Sequence, residues 1–296
     1  MSSPPIHVIP EDGSLPAAPK PHHRMSTRNR LLFFLTAWLI VLMPFLFWWN
    51  TWFGRQLSDK QLGQYLHDEL KPRHIQHALV QIGERIARHD TAVTRWYPEL
   101  VRLAAHPVED VRNTDAWVMG QDTSGAGFHE ALAKMLNDPS PMVRGNAALS
   151  LVRFGDASGR QQIVGLLEPA QVLAPDAGKI VDASTVGTSI HQGGVVAKLE
   201  VNGTDAIHTI EVRSPITGRL RTLSAPGGRQ VRRGDVIAIV DPGTEQVWEA
   251  LRALYLVGQP EDLPAVIPYQ RELPDISDRI RQQAVETERA IRDRVK

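Results

Sequence analysis

Three histidines near residue 70 are the side chains whose type and spacing could bind a metal. His67, His74 and His77 lie seven and three residues apart, so a helix would bring them to one face. Imidazole nitrogens on such a face can ligate zinc or a related ion. A solvated polar helix face gives the same pattern, and we favour it, so no metal site is predicted. The adjacent His22 and His23 lie in a proline-rich segment and are assigned no role.

The sequence contains no pattern of residues that is typical of a catalytic site. The chain has no cysteine, which excludes thiol nucleophiles, disulfides and thiolate zinc sites. The stretch 122–127, DTSGAG, contains two glycines but lacks the lysine and the preceding strand of a phosphate-binding loop, so we interpret it as a connector between helices. We therefore predict no catalytic residues, no cofactor-binding residues and no enzyme activity.

Two arginines follow a repeated helical pattern. Arg144 ends the motif DPSPMVR, Arg112 ends the related HPVEDVR, and an earlier, weaker copy starts at Pro72. Apolar residues at helical spacing follow each motif, and the proline suits the first turn of a helix. The pattern resembles the HEAT repeat, which implies stacked helix pairs that bind other proteins. The resemblance implies that Arg112 and Arg144 brace the preceding turn; a ligand-binding role is the alternative.

The stretch 174–241 is one strand-and-turn pattern written twice. Pro175, Gly178, Gly187 and Gly193 of the first copy correspond in order to four residues of the second copy, which are Pro215, Gly218, Gly227 and Gly234. Short runs of Val, Ile and Leu between glycine turns predict strands. The doubled pattern resembles the biotinyl/lipoyl domains, including those of periplasmic adaptor subunits. That resemblance implies an all-β barrel-sandwich hybrid.

Carrier members of that family display a modified lysine in the hairpin between the two halves. Here Gly203 stands at that position, and Lys198 falls inside the preceding strand, where we expect it to face solvent. Biotin or lipoyl attachment is therefore disfavoured, and a carrier-type enzyme subunit is kept only as an alternative. Asp235 follows a turn glycine, and we assign it to turn geometry.

The helical repeat resumes after the doubled pattern. Asp138 and Pro139 correspond to Asp241 and Pro242 at an offset of 103 residues, which exceeds one repeat by about the length of the β stretch. We predict HEAT-like helices over 58–169, a lipoyl-like domain inserted over 174–241, and a continuation with a polar cap over 242–296.

The N-terminal region predicts a membrane anchor. Residues 1–30 are rich in proline and poor in large apolar residues, which predicts a disordered tail. Residues 31–53 carry no charge and match a transmembrane helix; a cleaved signal peptide is the alternative. Basic residues before this stretch predict a single-pass protein of the bacterial inner membrane, with a cytoplasmic N-terminus and a periplasmic body.

Charge composition excludes one class of partner. The sequence has 33 basic and 33 acidic residues, and the basic residues form no stripe, so nucleic-acid binding is not predicted. We predict a multi-domain α + β protein with a transmembrane helix, a HEAT-like α-solenoid and an inserted barrel-sandwich hybrid. Its predicted partners are the lipid bilayer and other proteins; no small-molecule ligand is assigned. The expected function is a non-catalytic adaptor of an envelope transport or assembly complex, with a cytoplasm-facing interaction platform as the alternative.

Overall fold

A computed structural model describes residues 26–52, 56–202, 207–272 and 276–295. The chain forms two compact units, Met1–Gln56 and Leu57–Lys296, each of which is treated by itself. The predicted tail over 1–30 falls almost entirely outside the described residues, as do His22, His23 and the hairpin residue Gly203.

The described part of the first unit is one helix, α1, over Thr27–Trp52. The predicted transmembrane helix over 31–53 is wrong, because none of the described helices has both the length and the apolar character that crossing a membrane requires. The predicted single-pass inner-membrane location with a periplasmic body is wrong for the same reason, and the bilayer as a partner loses its basis.

The described part of the second unit contains a helical region and a separate sheet-rich domain. Its α-helices, in chain order, are α2 Asp59–Leu66, α3 Pro72–Ala87, α4 Tyr97–Leu103, α5 Glu109–Met119, α6 Phe128–Met135, α7 Pro141–Arg153, α8 Arg160–Gly165, α9 Thr244–Val257, α10 Leu263–Val266 and α11 Asp278–Asp293. Short 3-10 helices lie at Thr91–Trp96, Pro260–Asp262 and Ile267–Gln270.

Turn chemistry explains where the second helix of each pair begins. Ser140 caps α7 by accepting a hydrogen bond from the Val143 N–H, and Pro141 follows in the first turn, where a missing N–H costs nothing. The Asp138 carboxylate accepts the N–H of Ser140 at 2.8 Å. In the preceding pair, His106 Nδ1 accepts the N–H two residues further on at 3.1 Å. Both side chains stabilise the turn between two helices by the same local bond.

The second helices α3, α5, α7, α9 and α11 pack side by side in that order. Serine and threonine hydroxyls join them: Ser150 Oγ donates to the Ala116 carbonyl at 2.9 Å, and Thr287 Oγ1 donates to the Leu251 carbonyl at 2.9 Å. One apolar core fills the pairs up to α7. A second core combines side chains of α7 and α8 with those of α9 to α11.

Helices α8 and α9 pack against each other, although all strands of the chain's sheet-rich domain lie between them in sequence. The Gln246 side chain of α9 donates to the Leu166 carbonyl at the end of α8 at 2.9 Å. The Tyr269 hydroxyl donates to the next carbonyl, that of Leu167, at 2.6 Å. These bonds satisfy carbonyls that the end of α8 would otherwise leave open.

The sheet-rich domain consists of two antiparallel four-stranded sheets, ordered β1-β8-β6-β3 and β5-β4-β2-β7. Their strands are β1 Ala170–Leu173, β2 Gly178–Ala183, β3 Ser189–Ile190, β4 Val195–Asn202, β5 Ile207–Arg213, β6 Gly218–Leu223, β7 Gln230–Val231 and β8 Val236–Pro242. No strand pairing joins the two sheets within the described residues. The predicted barrel-sandwich hybrid is therefore wrong in that there is no closed barrel: each sheet keeps its two edge strands.

The two sequence copies exchange strands. Strand β3 of the first copy pairs with β6 of the second, and β7 of the second pairs with β2 of the first. The structure matches Gly187, at φ 89°, with Gly228, at φ 90°, instead of with Gly227 as the sequence alignment has it. At these turns the two copies therefore keep the same sequence offset as they have at Gly193 and Gly234. Glycine occupies both turns because it alone adopts positive φ without strain.

Close backbone approach explains the glycine that opens each copy. A Cβ atom at Gly178 would lie 2.3 Å from the Glu200 carbonyl oxygen, and one at Gly218 would lie 1.7 Å from the Asp241 carbonyl oxygen. No side chain fits at such distances, so β2 and β6 can pair with their neighbours only if glycine occupies these positions.

A buried acid interrupts the helical core. Asp115 of α5 is fully buried, and neither carboxylate oxygen has a hydrogen-bond partner among the described residues. Burial raises the pKa of Asp115 well above its ordinary value, although the charge of Arg102 opposes the shift. A neutral carboxyl is therefore favoured in the folded protein.

The first prediction concerns Gly218. Replacing it by alanine forces strand β6 away from β8, and we expect the free energy of unfolding to fall by about 3 kcal/mol. Urea unfolding followed by circular dichroism measures the change. The matched control is Gly227→Ala, whose Cβ would meet its nearest atom at 3.8 Å and should change stability by less than about 1 kcal/mol. Equal effects of the two variants would contradict this account.

The second prediction concerns Asp115. The folded protein holds this proton more tightly than the unfolded chain, so wild-type stability falls as the pH rises above the unfolded pKa of about 3.9. Asparagine does not titrate, so Asp115→Asn should raise the free energy of unfolding at pH 7 by about 1–3 kcal/mol, with a smaller gain near pH 4. Urea titrations at several pH values test this. Asp110→Asn, an exposed site on the same helix, is the control; a pH-independent gain at position 115 would refute the assignment.

Candidate protein-binding groove

The second helices of the stack line a groove with a volume of about 860 Å³. Helices α5, α7, α9 and α11 each contribute side chains to it. Three of these side chains are large and apolar yet exposed: Trp117 at 44%, Tyr255 at 44% and Leu256 at 62%. Exposed aromatic and aliphatic groups in a concave surface are typical of sites where another protein binds.

The indole of Trp117 is held in place from below. It lies over Gly83 of α3, where a Cβ atom would come within 2.9 Å of the ring. Because Gly83 has no side chain, the Trp117 ring packs directly on α3, and the part of it that stays exposed lines the groove. An aromatic side chain fixed in this way loses little conformational entropy when a partner covers it.

The groove also carries charges of both signs. Arg252 and Glu249 of α9 form an ion pair at 3.6 Å. The Arg153 guanidinium of α7 donates to two neutral acceptors, the Gly120 carbonyl at 3.0 Å and the Gln121 side-chain oxygen at 2.9 Å. These neutral partners fix its position, and no ion pair to it forms among the described residues.

Sequence reasoning missed the groove residues because it followed the buried stripe of each helix. The signal was present in α5, where Trp117 stands between the buried Ala116 and Val118. A large aromatic at a position that turns away from the core stripe predicts an exposed anchor. The same reasoning applies to Leu256, which follows the buried Leu254 by two residues.

The two predicted arginines brace the turns between helices. Arg112 binds the Asp138 carboxylate through Nε at 2.6 Å and Nη2 at 2.9 Å, and donates to the His106 carbonyl at 2.8 Å. Arg144 donates to the carbonyls of Asp138 at 2.7 Å and Pro139 at 3.0 Å. Burial alone would raise the pKa of Asp138, but hydrogen bonds from Arg112 and from the Ser140 N–H lower it below its ordinary value. Arg144 thereby binds the turn that precedes its own helix, and Arg112 binds both the turn before its own helix and the turn of the next helix pair.

The three histidines have separate partners. His67 Nδ1 contacts the Gly63 carbonyl at 2.9 Å, and His74 Nδ1 contacts the Asp68 carboxylate at 2.8 Å. His77 Nε2 contacts the Gln81 amide at 2.8 Å. Among the described residues there is no group of three or more histidine or acidic side chains that could hold a metal.

The remaining candidate residues lie in turns and strands. Asp122 accepts the Tyr97 hydroxyl and the Ser124 N–H, the latter at 2.8 Å, within the link between α5 and α6. Asp235 accepts the Arg232 N–H at 2.8 Å inside a tight turn. Lys198 lies in β4, half exposed, with its ammonium 3.7 Å from the Asp182 carboxylate.

Comparison with known proteins identifies one repeat. A family model described as HEAT repeat matches residues 130–158, which cover most of α6, its turn and α7. No curated protein matches the chain. A crystal structure of an engineered protein from the Northeast Structural Genomics Consortium is similar at 16% identity and a TM-score of 0.38, covering 79% of this chain and 80% of that one. The helical region thus contains a HEAT repeat, a type of repeat associated with protein–protein interaction.

The third prediction tests the Arg112 brace. Its side chain is 11% exposed and that of Asp138 is 7% exposed, so Arg112→Ala leaves an unpaired buried carboxylate and should lower stability by about 3–5 kcal/mol. Arg144→Ala loses bonds to two carbonyls and acts on the Asp138 carboxylate only through its charge, so it should cost about 1 kcal/mol. Because Asp138 has a lowered pKa, its stabilising charge is lost as the pH falls through that value. Chemical unfolding at pH 7 and pH 3 should therefore show the Arg112 deficit narrowing in acid; an unchanged deficit would contradict the carboxylate pairing.

Proposed function

We propose that this protein is a non-catalytic scaffold that binds a segment of another protein in the groove of its helical region. The observation that carries the proposal is the fixed, half-exposed indole of Trp117, with Tyr255 and Leu256 on a neighbouring wall. The HEAT repeat over 130–158 supports the same function, since stacked helix pairs offer extended concave binding surfaces.

We also propose that the sheet-rich domain is a relative of the lipoyl-type domains that lacks the attachment lysine of the hairpin, inserted between two helices of the stack. The exchange of β3 and β7 between the two copies supports the relationship. The bond from Gln246 to the Leu166 carbonyl supports the insertion. In this proposal the domain acts as a second rigid binding surface instead of as a carrier of a covalent cofactor.

The fourth prediction tests the groove with a phage library that displays random twelve-residue peptides. Wild-type protein should enrich a set of peptides, and Trp117→Ala should weaken binding of their synthetic forms at least tenfold, the effect of removing a central aromatic anchor. Fluorescence polarisation measures the affinities.

The matched control is Val285→Ala. Val285 is 49% exposed and lies on α11 beside the groove residue Glu286, but it does not line the groove. Its replacement should change affinity less than twofold. No enrichment by the wild type, or equal losses in the two variants, would count against the groove as a binding site.

A further inference from the structure

An imidazole stabilises the turn before α5 in the place where a carboxylate stabilises the turn before α7. His106 and Asp138 occupy the same position of the repeated motif, each directly before a proline. The Val108 N–H donates to His106 Nδ1 at 3.1 Å, and the Ser140 N–H donates to the Asp138 carboxylate at 2.8 Å. A carboxylate accepts such a bond at any pH above about 4, whereas an imidazole nitrogen accepts only while it carries no proton. The two turns therefore differ in how they depend on pH.

The structure selects one form of the His106 ring. The side chain is 2% exposed, and Nε2 lies 2.9 Å from the Glu69 carboxylate. Because Nδ1 accepts the Val108 N–H, it carries no hydrogen, so the single hydrogen of the neutral ring is on Nε2, where the carboxylate accepts it. A further proton can bind only at Nδ1, towards which the Val108 N–H points.

The bond to His106 fixes the chain where α5 begins. Val108 is the N-cap residue of α5, and its own side chain caps none of the N–H groups of the first turn. At the start of α7, in contrast, the Ser140 hydroxyl accepts an N–H of the first turn. The start of α5 therefore relies on its histidine more than the start of α7 relies on Asp138.

Charged groups from several elements face this turn. Glu69, in the link between α2 and α3, accepts from Arg102 of α4 at 2.9 Å with its second oxygen. Arg112 of α5 donates to the carbonyl of the histidine at 2.8 Å, and its own charge is paired with the acid of the next turn. Glu109 and Asp110 lie in the first turn of α5. Among the described side chains, Glu69 is the one that bonds to the ring.

A proton on Nδ1 changes the two bonds of the ring in opposite senses. The bond from Val108 is lost, because two N–H donors then point at each other. The bond to Glu69 joins an imidazolium to a carboxylate and becomes stronger. Since the Glu69 side chain is half exposed, this gain is small. The closed turn and the protonated ring therefore exclude each other.

We propose that the turn between α4 and α5 is a pH-sensitive switch, in which a proton bound at His106 Nδ1 opens the turn and releases the start of α5. The equivalent turn at Asp138 stays closed. An imidazole in contact with water takes up a proton near pH 6.5, so mild acid favours the open turn. The switch goes beyond the proposed protein-binding function, because His106, Val108 and Glu69 do not line the groove.

The fifth prediction compares two backbone amides of the full chain by hydrogen–deuterium exchange and NMR. Because only the open turn binds the proton, its population relative to the closed turn should rise about tenfold between pH 7.5 and pH 5.5. Protection of the Val108 N–H, corrected for the intrinsic exchange rate at each pH, should therefore fall about tenfold. Protection of the Ser140 N–H should change less than twofold. Unchanged protection at Val108, or an equal fall at Ser140, overturns the proposal.

Two variants separate the proton at His106 from the other effects of acid. His106→Asn supplies a side-chain oxygen that accepts the N–H two residues further on at any pH, so Val108 should lose its pH dependence. His129→Asn removes another imidazole, 46% exposed and 2.8 Å from the Asp156 carboxylate, and should keep the tenfold fall at Val108. A tenfold fall that persists in His106→Asn contradicts the proposal.

The wild-type protein decides the matter if His106→Asn fails to fold. Nitrogen chemical shifts of the His106 ring should show a hydrogen on Nε2 and none on Nδ1 at pH 7.5. Nδ1 should gain its proton over the same pH range in which Val108 loses protection. A hydrogen on Nδ1 at pH 7.5, or protonation of Nδ1 while Val108 stays protected, would refute the switch.

Discussion

The packing of α9 against α7 and α8 is the interaction on which the groove depends. A HEAT-like helix pair cannot bury its apolar face alone, so its stability comes from neighbours on both sides. Here the strands of the sheet-rich domain separate α8 from α9 in sequence. The shared core that includes Ile163, Val247 and Leu251 holds α8 and α9 together in space. Without it the anchors on α5 and those on α9 would belong to different surfaces.

Under the proposed function, binding and stability place opposite demands on the side chains of the groove. Trp117 and Leu256 would contribute more to folding if they were buried, since each buried large apolar side chain stabilises a protein by about 1.5–3 kcal/mol. Their exposure is tolerated because the opposite faces of α5 and α9 are fully packed, as the complete burial of Val118 and Leu254 shows. Asp115 is a further departure from the best possible core, because neither of its carboxylate oxygens has a hydrogen-bond partner among the described residues.

Local sequence signals predicted the parts of the fold that depend on neighbouring residues. The motif ending at Arg144 identified a HEAT repeat. The proline that begins α7 and the apolar residues that follow at helical spacing are close together in sequence, so this signal is local. The doubled glycine pattern predicted a separate sheet-rich domain. The sequence could not show that these strands form two open sheets, since closure depends on pairing between distant edges. The membrane prediction over 31–53 failed for a different reason: it counted uncharged residues, whereas none of the described helices is both long enough and apolar enough to cross a membrane. The groove escaped prediction because its residues share a surface only after α5 to α11 are stacked.

The sheet-rich domain contacts α5 and α7 at the ends that lie away from the groove residues Trp117 and Arg153. Glu109, the first residue of α5, accepts a hydrogen bond from Gln192 of the sheet-rich domain at 3.2 Å, and Met142 in the first turn of α7 packs against the domain's core. In contrast, Trp117 lies in the last turn of α5 and Arg153 is the final residue of α7. Since each of these helices is longer than two turns, the domain contacts one end of α5 and α7 and leaves Trp117 and Arg153 uncovered at the other. Under the proposed function, this arrangement lets one partner bind in the groove while a second partner binds the sheets.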